Sequence, residues 1–436
     1  MKLKKPINST SYNLFNENKA TDSCKSNVIP NDFELDINAI QDGLIPYRLE
    51  HNRFVPEKVY HTMVQNTAFN NLELAALQTL YFSAVPGVIN LNQEQLHAYG
   101  IIIASQLANP KKWASYPILD KLHLSVDITP KELEMLLERA QSIATKAGFN
   151  LTSKPPKRHN GQFHEAVLTF CSKEHKDAKI YFFLGDYAKS RRNPMNLLRI
   201  ELNPARHSRM ELKRFFSVLK QSKCLSDYKS KMESAKVTRR DLAVDLIFCQ
   251  MPLLIADKSN VSDKYANHST HKQKGSTLVQ TIIIGDKDRS NTITYAKTEK
   301  LLEQRTKRKN LALPFMVNSD MNPISVARIE HRQKKQQDGG TLLLSELDKT
   351  SSQNMFKSLR VYRPELLKTV PEELQSKVIR DGYMVAMKKH NTAAFLFRDN
   401  FLKQFKMYIN DEVFMKMQKK ILKEVKQCII SPDKNR

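Results

Sequence analysis

Three short segments alternate charged and apolar residues with the period of a β-strand: NLLRIEL (196–202), KVTRRDLAVDLIF (236–248) and ISVARIEHR (324–332). In an extended chain successive side chains leave on opposite faces. Leu242, Val244 and Leu246 therefore share one face, while Arg239, Asp241, Ala243 and Asp245 share the other. In the first segment Ile200 and Leu202 form the apolar set and Arg199, Glu201 and Asn203 the polar one. In the third, Ile329 turns inward and Arg328, Glu330 and Arg332 outward. Each strand thus sets an arginine beside a carboxylate on a polar face.

Two readings of that face remain open from periodicity alone. If the strands are neighbours, Glu201, Asp241, Asp245 and Glu330 could converge on a hard divalent cation such as Mg²⁺ or Mn²⁺, which takes oxygen ligands. The same residues could equally form a lattice of cross-strand salt bridges.

The surrounding pattern suggests an α+β fold, with a central, mostly antiparallel sheet and helices on one face. KLHLSVDI, AVLTFCS, KIYFFLGD, TLVQTIIIGD and NTITYAK add to the strands. Thr129-Pro130 opens a helix that Gly148 stops, and Ser208 with Glu211 three residues on opens another. KLHLSVDITPKELEMLL and LLRIELNPARHSRMELKRFF share a strand, loop and amphipathic helix, which hints at two similar half-domains. Residues 250–276 read as a polar loop without periodicity.

Three regions follow: a mainly helical stretch over 1–115, the α+β core over 116–337 and a helical, basic stretch over 338–436. Two N-terminal helices joined by VPGVINLN admit a helix-turn-helix DNA reader, with a plain helical packing module as the commoner alternative.

The chain has 436 residues, and 70 Lys and Arg against 45 Asp and Glu leave a formal charge of +25. Such an excess favours a polyanion through counterion release and steering, so DNA or RNA is the leading partner. No apolar run is long enough to span a membrane, and the start MKLKKPINSTSYN lacks the apolar segment of a secretory signal. These features point to a cytoplasmic protein without a membrane partner. The five cysteines lie far apart, against a zinc site or a disulfide framework.

TIIIGDKDRSNTITYAK reads as strand, turn and strand, with Tyr295 and Lys297 on one face. A tyrosine hydroxyl can attack a phosphodiester when a cation polarises the phosphate and a lysine stabilises the developing charge. Ile293 shares that face too, so Tyr295 also fits as a core aromatic.

VTRRDLAVDLIF, TIIIGDKDRSNTITYAK and ISVARIEHRQKK, in that order, resemble the replication initiation factor (Rep_trans-like) family of rolling-circle plasmid and filamentous phage initiators, and FKSLRVYRP (356–364) is similar to a segment that follows in the phage members. The resemblance implies a DNA-nicking transesterase that starts replication at an origin. Such an enzyme forms a transient phosphotyrosine link to the 5′ end and leaves a 3′ hydroxyl primer. By position Tyr295 would be the nucleophile, with Lys297 beside it and Asp241, Asp245, Glu201 and Glu330 as candidate ligands for Mg²⁺ or Mn²⁺. Arg199, Arg239, Arg240, Arg328 and Arg332, together with Arg305, Lys307, Arg308 and Lys309, would hold origin DNA, first double-stranded or hairpin and then single-stranded. A host helicase is the implied protein partner and a homodimer is compatible. None of the twelve histidines forms the His-x-His pair of the other large nickase group, so any metal shell would be carboxylate-based. The competing reading is a non-enzymatic origin-binding protein.

Overall fold

The computed structural model describes residues 48–65, 93–111, 113, 115–154, 157–159, 162–164, 166–185, 196–247, 249, 251–258, 266–270, 279–285, 290–298, 300, 301, 304, 326–333, 341–349, 356, 359–388 and 398–433. The first helix of the N-terminal pair, and Arg305, Lys307, Arg308 and Lys309, lie outside them.

Helices α1 (Glu57–Gln65) and α2 (Gln93–Ala108) precede β1 (Ile118–Ile128) and α3 (Pro130–Ala147). Then come β2 (Phe149–Lys154), the hairpin β3 (Lys157–His159) and β4 (Gln162–His164), β5 (Ala166–Ser172), β6 (Lys179–Gly185) and β7 (Asn196–Leu202). Helices α4 (Arg209–Gln221) and α5 (Tyr228–Glu233) lead to β8 (Lys236–Ile247), followed by β9 (Ile255–Lys258), β10 (Ala266–Thr270), β11 (Val279–Gly285), β12 (Ser290–Ala296) and β13 (Val326–Gln333). The chain ends with β14 (Leu359–Tyr362), α6 (Glu372–Asp381), α7 (Tyr383–Lys388), α8 (Arg398–Lys403) and α9 (Asp411–Ile430).

Among the described residues one ten-stranded antiparallel sheet runs in the order β10-β11-β12-β13-β8-β1-β7-β6-β5-β2, making the fold α+β. It divides into two runs of five with the same path. In each, the first strand (β1 or β8) is innermost and the second (β2 or β10) lies at the outer edge. Three more then step back inward, and the runs join where β1 pairs with β8. The two segments alike in sequence are not the repeating units: β1 and β7 are neighbours, each feeding a helix onto the same apolar face. Their likeness reflects a shared local task, strand then amphipathic helix.

Local chemistry sets the helix ends. The Thr129 hydroxyl accepts from the Glu132 N–H at 3.3 Å while the Glu132 carboxylate accepts from the Thr129 N–H at 2.8 Å, which satisfies two otherwise orphaned donors. Gly148 ends α3 at φ 82°, a left-handed conformation that a Cβ disfavours. Ser208 caps α4 by accepting from the Glu211 N–H at 3.1 Å.

Leu122, Leu124, Leu198, Ile200 and Phe182 line the apolar face and pack against Leu136 of α3, Phe215 of α4, Met232 of α5 and Val425 of α9. Phe170, Phe182 and Phe215 meet edge-on at centroid separations of 5.0 to 5.9 Å. Tyr60, Tyr99 and Phe414 join the same core, which therefore draws on all three stretches of the chain. A second cluster gathers Ile255, Tyr362, Val378 and Leu402 around the β9–β14 pair.

Residues 250–276 correct the expectation of a structureless loop, because β9 and β10 lie within them and pair with β14 and β11. Strands of four and five residues are too short for alternation to stand out. Cys171, Cys224, Cys249 and Cys428 form no disulfide with one another, and no helix among the described residues is long and apolar enough to cross a membrane.

Candidate functional site

The sheet register brings most of the predicted residues onto one face, except Arg240, which alternates with Asp241, and Lys297, which follows the end of β12. Along β8 and β13, Asp245 stands opposite Arg328, Ala243 opposite Glu330 and Asp241 opposite Arg332. On the next strand Tyr295 stands opposite Arg328. In the other direction His123 of β1 lies between Arg239 of β8 and Glu201 of β7.

The charges on this face are partitioned into ion pairs. Arg239 donates from Nε and Nη2 to both oxygens of Asp241, at 2.9 and 2.5 Å. Arg328 grips Asp245 in the same forked manner, at 2.6 and 2.9 Å, and its Nη1 also reaches Asp120 at 3.1 Å. Arg332 Nε donates to Glu330 at 2.6 Å, and Arg199 lies 2.6 Å from Glu201. The Tyr295 hydroxyl donates to the other Glu330 oxygen at 3.3 Å. Of these ion pairs Arg328–Asp245 crosses between neighbouring strands, whereas Arg239–Asp241, Arg332–Glu330 and Arg199–Glu201 each join residues two apart on one strand, so the charges form a salt-bridge lattice that runs along the strands as well as across them.

A second expectation is revised, since the polar face is closed to solvent over its middle. The side chains of Asp241 and Asp245 are 0% exposed, and Tyr295 is only 4% exposed. At the Asp245 end, residues 48–52 lie against the face, with Arg48 Nη1 within 3.7 Å of Asp245 and His51 and Asn52 buried. That segment is latched at the loop after β7: the Arg53 N–H donates to the Ala205 carbonyl at 2.7 Å, and Arg53 and Arg206 share Asp177 at 2.6 and 2.8 Å.

Burial and charge shape the protonation states. Burial alone would raise Asp245 and Asp120, but Arg328 overrides it, holding Asp245 well below the carboxylate range and Asp120 at about 2. Burial raises Asp241 to about 6 despite Arg239. It also lowers Lys297 to about 7, with Arg328 adding repulsion. The Tyr295 phenol is pushed far up by burial against the pull of Arg328. Lys300 Nζ sits 4.1 Å from the Tyr295 ring centroid, closer than Lys297 Nζ at 6.0 Å, which makes it the nearer cation.

As arranged, the carboxylates do not fit a metal: both oxygens of Asp241 and of Asp245 are taken by guanidinium groups, and Glu330 is shared between Arg332 and Tyr295. Among the described residues no three His, Cys, Asp or Glu side chains form a group that could hold an ion. Of the predicted DNA-binding cations, Arg240 is buried with its guanidinium on the Gln333 Oε1 at 2.8 Å, so it offers no charge to a phosphate. Arg199, Arg239 and Arg332 are partly exposed.

Sequence reading missed Asp120, Arg48 and Lys300. Asp120 falls where the β1–β8 register shifts, and an irregularity of that kind defeats a simple alternation rule. Arg48 lies in a polar leader with no periodic signal. The chain matches no family model, and no curated protein or solved structure matches it.

Proposed function

We propose that this protein is a DNA-binding replication initiator that nicks one strand through Tyr295. The observation that carries the reading is the Tyr295 hydroxyl on Glu330, flanked by Arg328 and with Lys300 against its ring. The formal charge of +25 supports a polyanionic partner. Glu330 would accept the phenolic proton, and the phenolate oxygen would attack phosphorus. The bond to the 3′ oxygen would break, and that oxygen would take up a proton to leave as the 3′ hydroxyl. Lys300 would neutralise the charge that develops. Attack requires the buried phenol to become accessible, and exposed Lys300 marks the side from which a phosphate would arrive.

A second reading, a DNA-holding initiator without chemistry, is favoured by one specific observation: the carboxylates are engaged by arginines and the phenol is buried. Supercoiled plasmid carrying the cognate origin, incubated with the protein with and without Mn²⁺, separates the two. Nicked circles from the wild type and none from Tyr295→Phe support the nickase, and undiminished nicking by Tyr295→Phe removes Tyr295 from the reaction. DNA binding without nicks by either protein favours the holder.

A further inference from the structure

The face that carries Tyr295 continues past β8 into the first run of strands, where its character changes. One cross-strand row there reads Thr152, Thr169, Tyr181, Glu201, His123, Arg239, and the next reads Val167, Phe183, Arg199, Ser125, Lys236. Two aromatic residues thus stand on the polar side of the sheet, away from the helices. Phe182, between them in sequence, points into the apolar core.

The Tyr181 and Phe183 rings are stacked at 6.3 Å with their planes 26° apart. Phe183 is 6% exposed, and His164 of the β3–β4 hairpin packs on it at 5.1 Å. Tyr181 is partly exposed above this buttress. Arg199, one strand away, has its Nη2 on Glu201 and 3.3 Å from His123 Nδ1. Its Nε is buried without a partner. Lys236 is half exposed and Arg239 and Arg332 partly so, at 51%, 20% and 27%. Arg199, Arg239, Arg332 and Lys236 each have a carboxylate near them, Glu201, Asp241, Glu330 and Asp127, and part-exposed Lys121 and Lys179 add positive charge on the same side of the sheet as the aromatic pair.

A supported ring next to a guanidinium and several cations suits a base with an open π-face and a phosphodiester on either side. A duplex hides its base faces in its own stack, so the aromatic residue selects against it. At about 4.8 Å per strand, the row from Thr152 to Arg239 extends across roughly 24 Å, room for several nucleotides between the outer strand and the Tyr295 side of the sheet.

We infer that the outer face of β6, β7, β1 and β8 is a platform for single-stranded DNA, with Tyr181 stacking a base, Phe183 supporting it and Arg199, Arg239 and Lys236 holding the backbone. The inference rests on the reading of the chain as a DNA-binding protein and adds the place, with Tyr181 as the residue that stacks on a base. On that reading the platform holds the strand that a nick at Tyr295 would release.

Fluorescence anisotropy of a labelled oligothymidylate, titrated with the full chain, tests it, with a duplex of unrelated sequence as the second probe. Tyr181→Ala weakens oligothymidylate binding about tenfold, the scale of one lost base stack. Tyr181→Phe retains wild-type affinity, and neither variant changes duplex binding. Thermal melting of each variant verifies that the fold is kept. The platform is overturned if Tyr181→Ala binds the single strand like the wild type, if it loses duplex and single strand equally, or if oligouridylate binds more tightly than oligothymidylate. Those outcomes leave DNA binding by the chain standing. A wild type that binds neither oligothymidylate nor duplex overturns the DNA-binding reading itself.

Discussion

Arg328 and Asp245 face each other across β13 and β8, joined by hydrogen bonds of 2.6 and 2.9 Å with both side chains closed to solvent. A buried pair of this kind is worth little against an apolar replacement of the same shape, yet breaking it from one side strands a charge in a poor dielectric. Because Arg328 also carries Asp120, two carboxylates depend on it.

Arg328→Met should therefore cost about 3 to 5 kcal/mol of folding stability. The double variant Asp245→Leu with Arg328→Met should recover only part of that loss, because Asp120 still lacks Arg328 and Arg48 loses Asp245. Midpoints of chemical denaturation for the two single variants and the double variant give the answer, and a double variant no better than Arg328→Met would contradict this account of the pair.

Lys297 gives the pair's surroundings a pH signature. Burial, then Arg328, lowers its pKa to about 7 from 10.5 in an unfolded chain. Between those values the unfolded state binds the extra proton, so this group makes stability rise with pH across that window, by at most roughly 1.4 kcal/mol per unit. Below about pH 7 the folded protein carries the full cost of a buried ammonium. Lys297→Met should stabilise the protein at neutral pH and flatten the rise. Melting curves of both proteins at several pH values in the window check it, and parallel profiles would show that Lys297 is not buried as charge.

Much of the frame was legible because its signals are local. Thr129, Pro130 and Gly148 bracket α3, Ser208 and Glu211 open α4, and the alternation in β8 and β13 puts their charges on one face. Partner choice was not legible. Arg328 meets Asp245 across a separation of 83 residues, and a shift of the register by two would set Arg328 opposite Ala243 or Ile247 instead. The burial of the polar face at its Asp245 end was hidden for the same reason, since residues 48–52 reach it from far away in the chain. Short strands such as β9 have too few residues for a period to appear.

Gly148 offers a test of one local signal. Its φ of 82° disfavours any Cβ, and an added one would meet Arg214 Nη2 at 3.0 Å. Arg214 Nε donates to the Ala147 carbonyl at 2.7 Å, tying α4 to the end of α3. Gly148→Ala should cost about 1 to 2 kcal/mol from backbone strain and a displaced guanidinium. A denaturation midpoint equal to the wild type's would mean that the turn relaxes freely.

The nicking reading makes its sharpest demand on Glu330. Burial raises the Tyr295 phenol far above its ordinary range, so at neutral pH the hydroxyl attacks only if a base removes its proton in the same step. Glu330, 3.3 Å away, is the acceptor that the hydroxyl already uses. A glutamine in its place still accepts the hydrogen bond but cannot take the proton. Glu330→Gln should therefore slow nicking by about 10² to 10⁴-fold, with DNA affinity unchanged and part of the loss recovered as pH rises and hydroxide replaces the carboxylate. Gel quantitation of nicked circles across a pH series, alongside anisotropy with the same DNA, reads both quantities. If the wild type nicks and Glu330→Gln matches its rate at neutral pH, the proton leaves by another route and Glu330 serves only to balance Arg332.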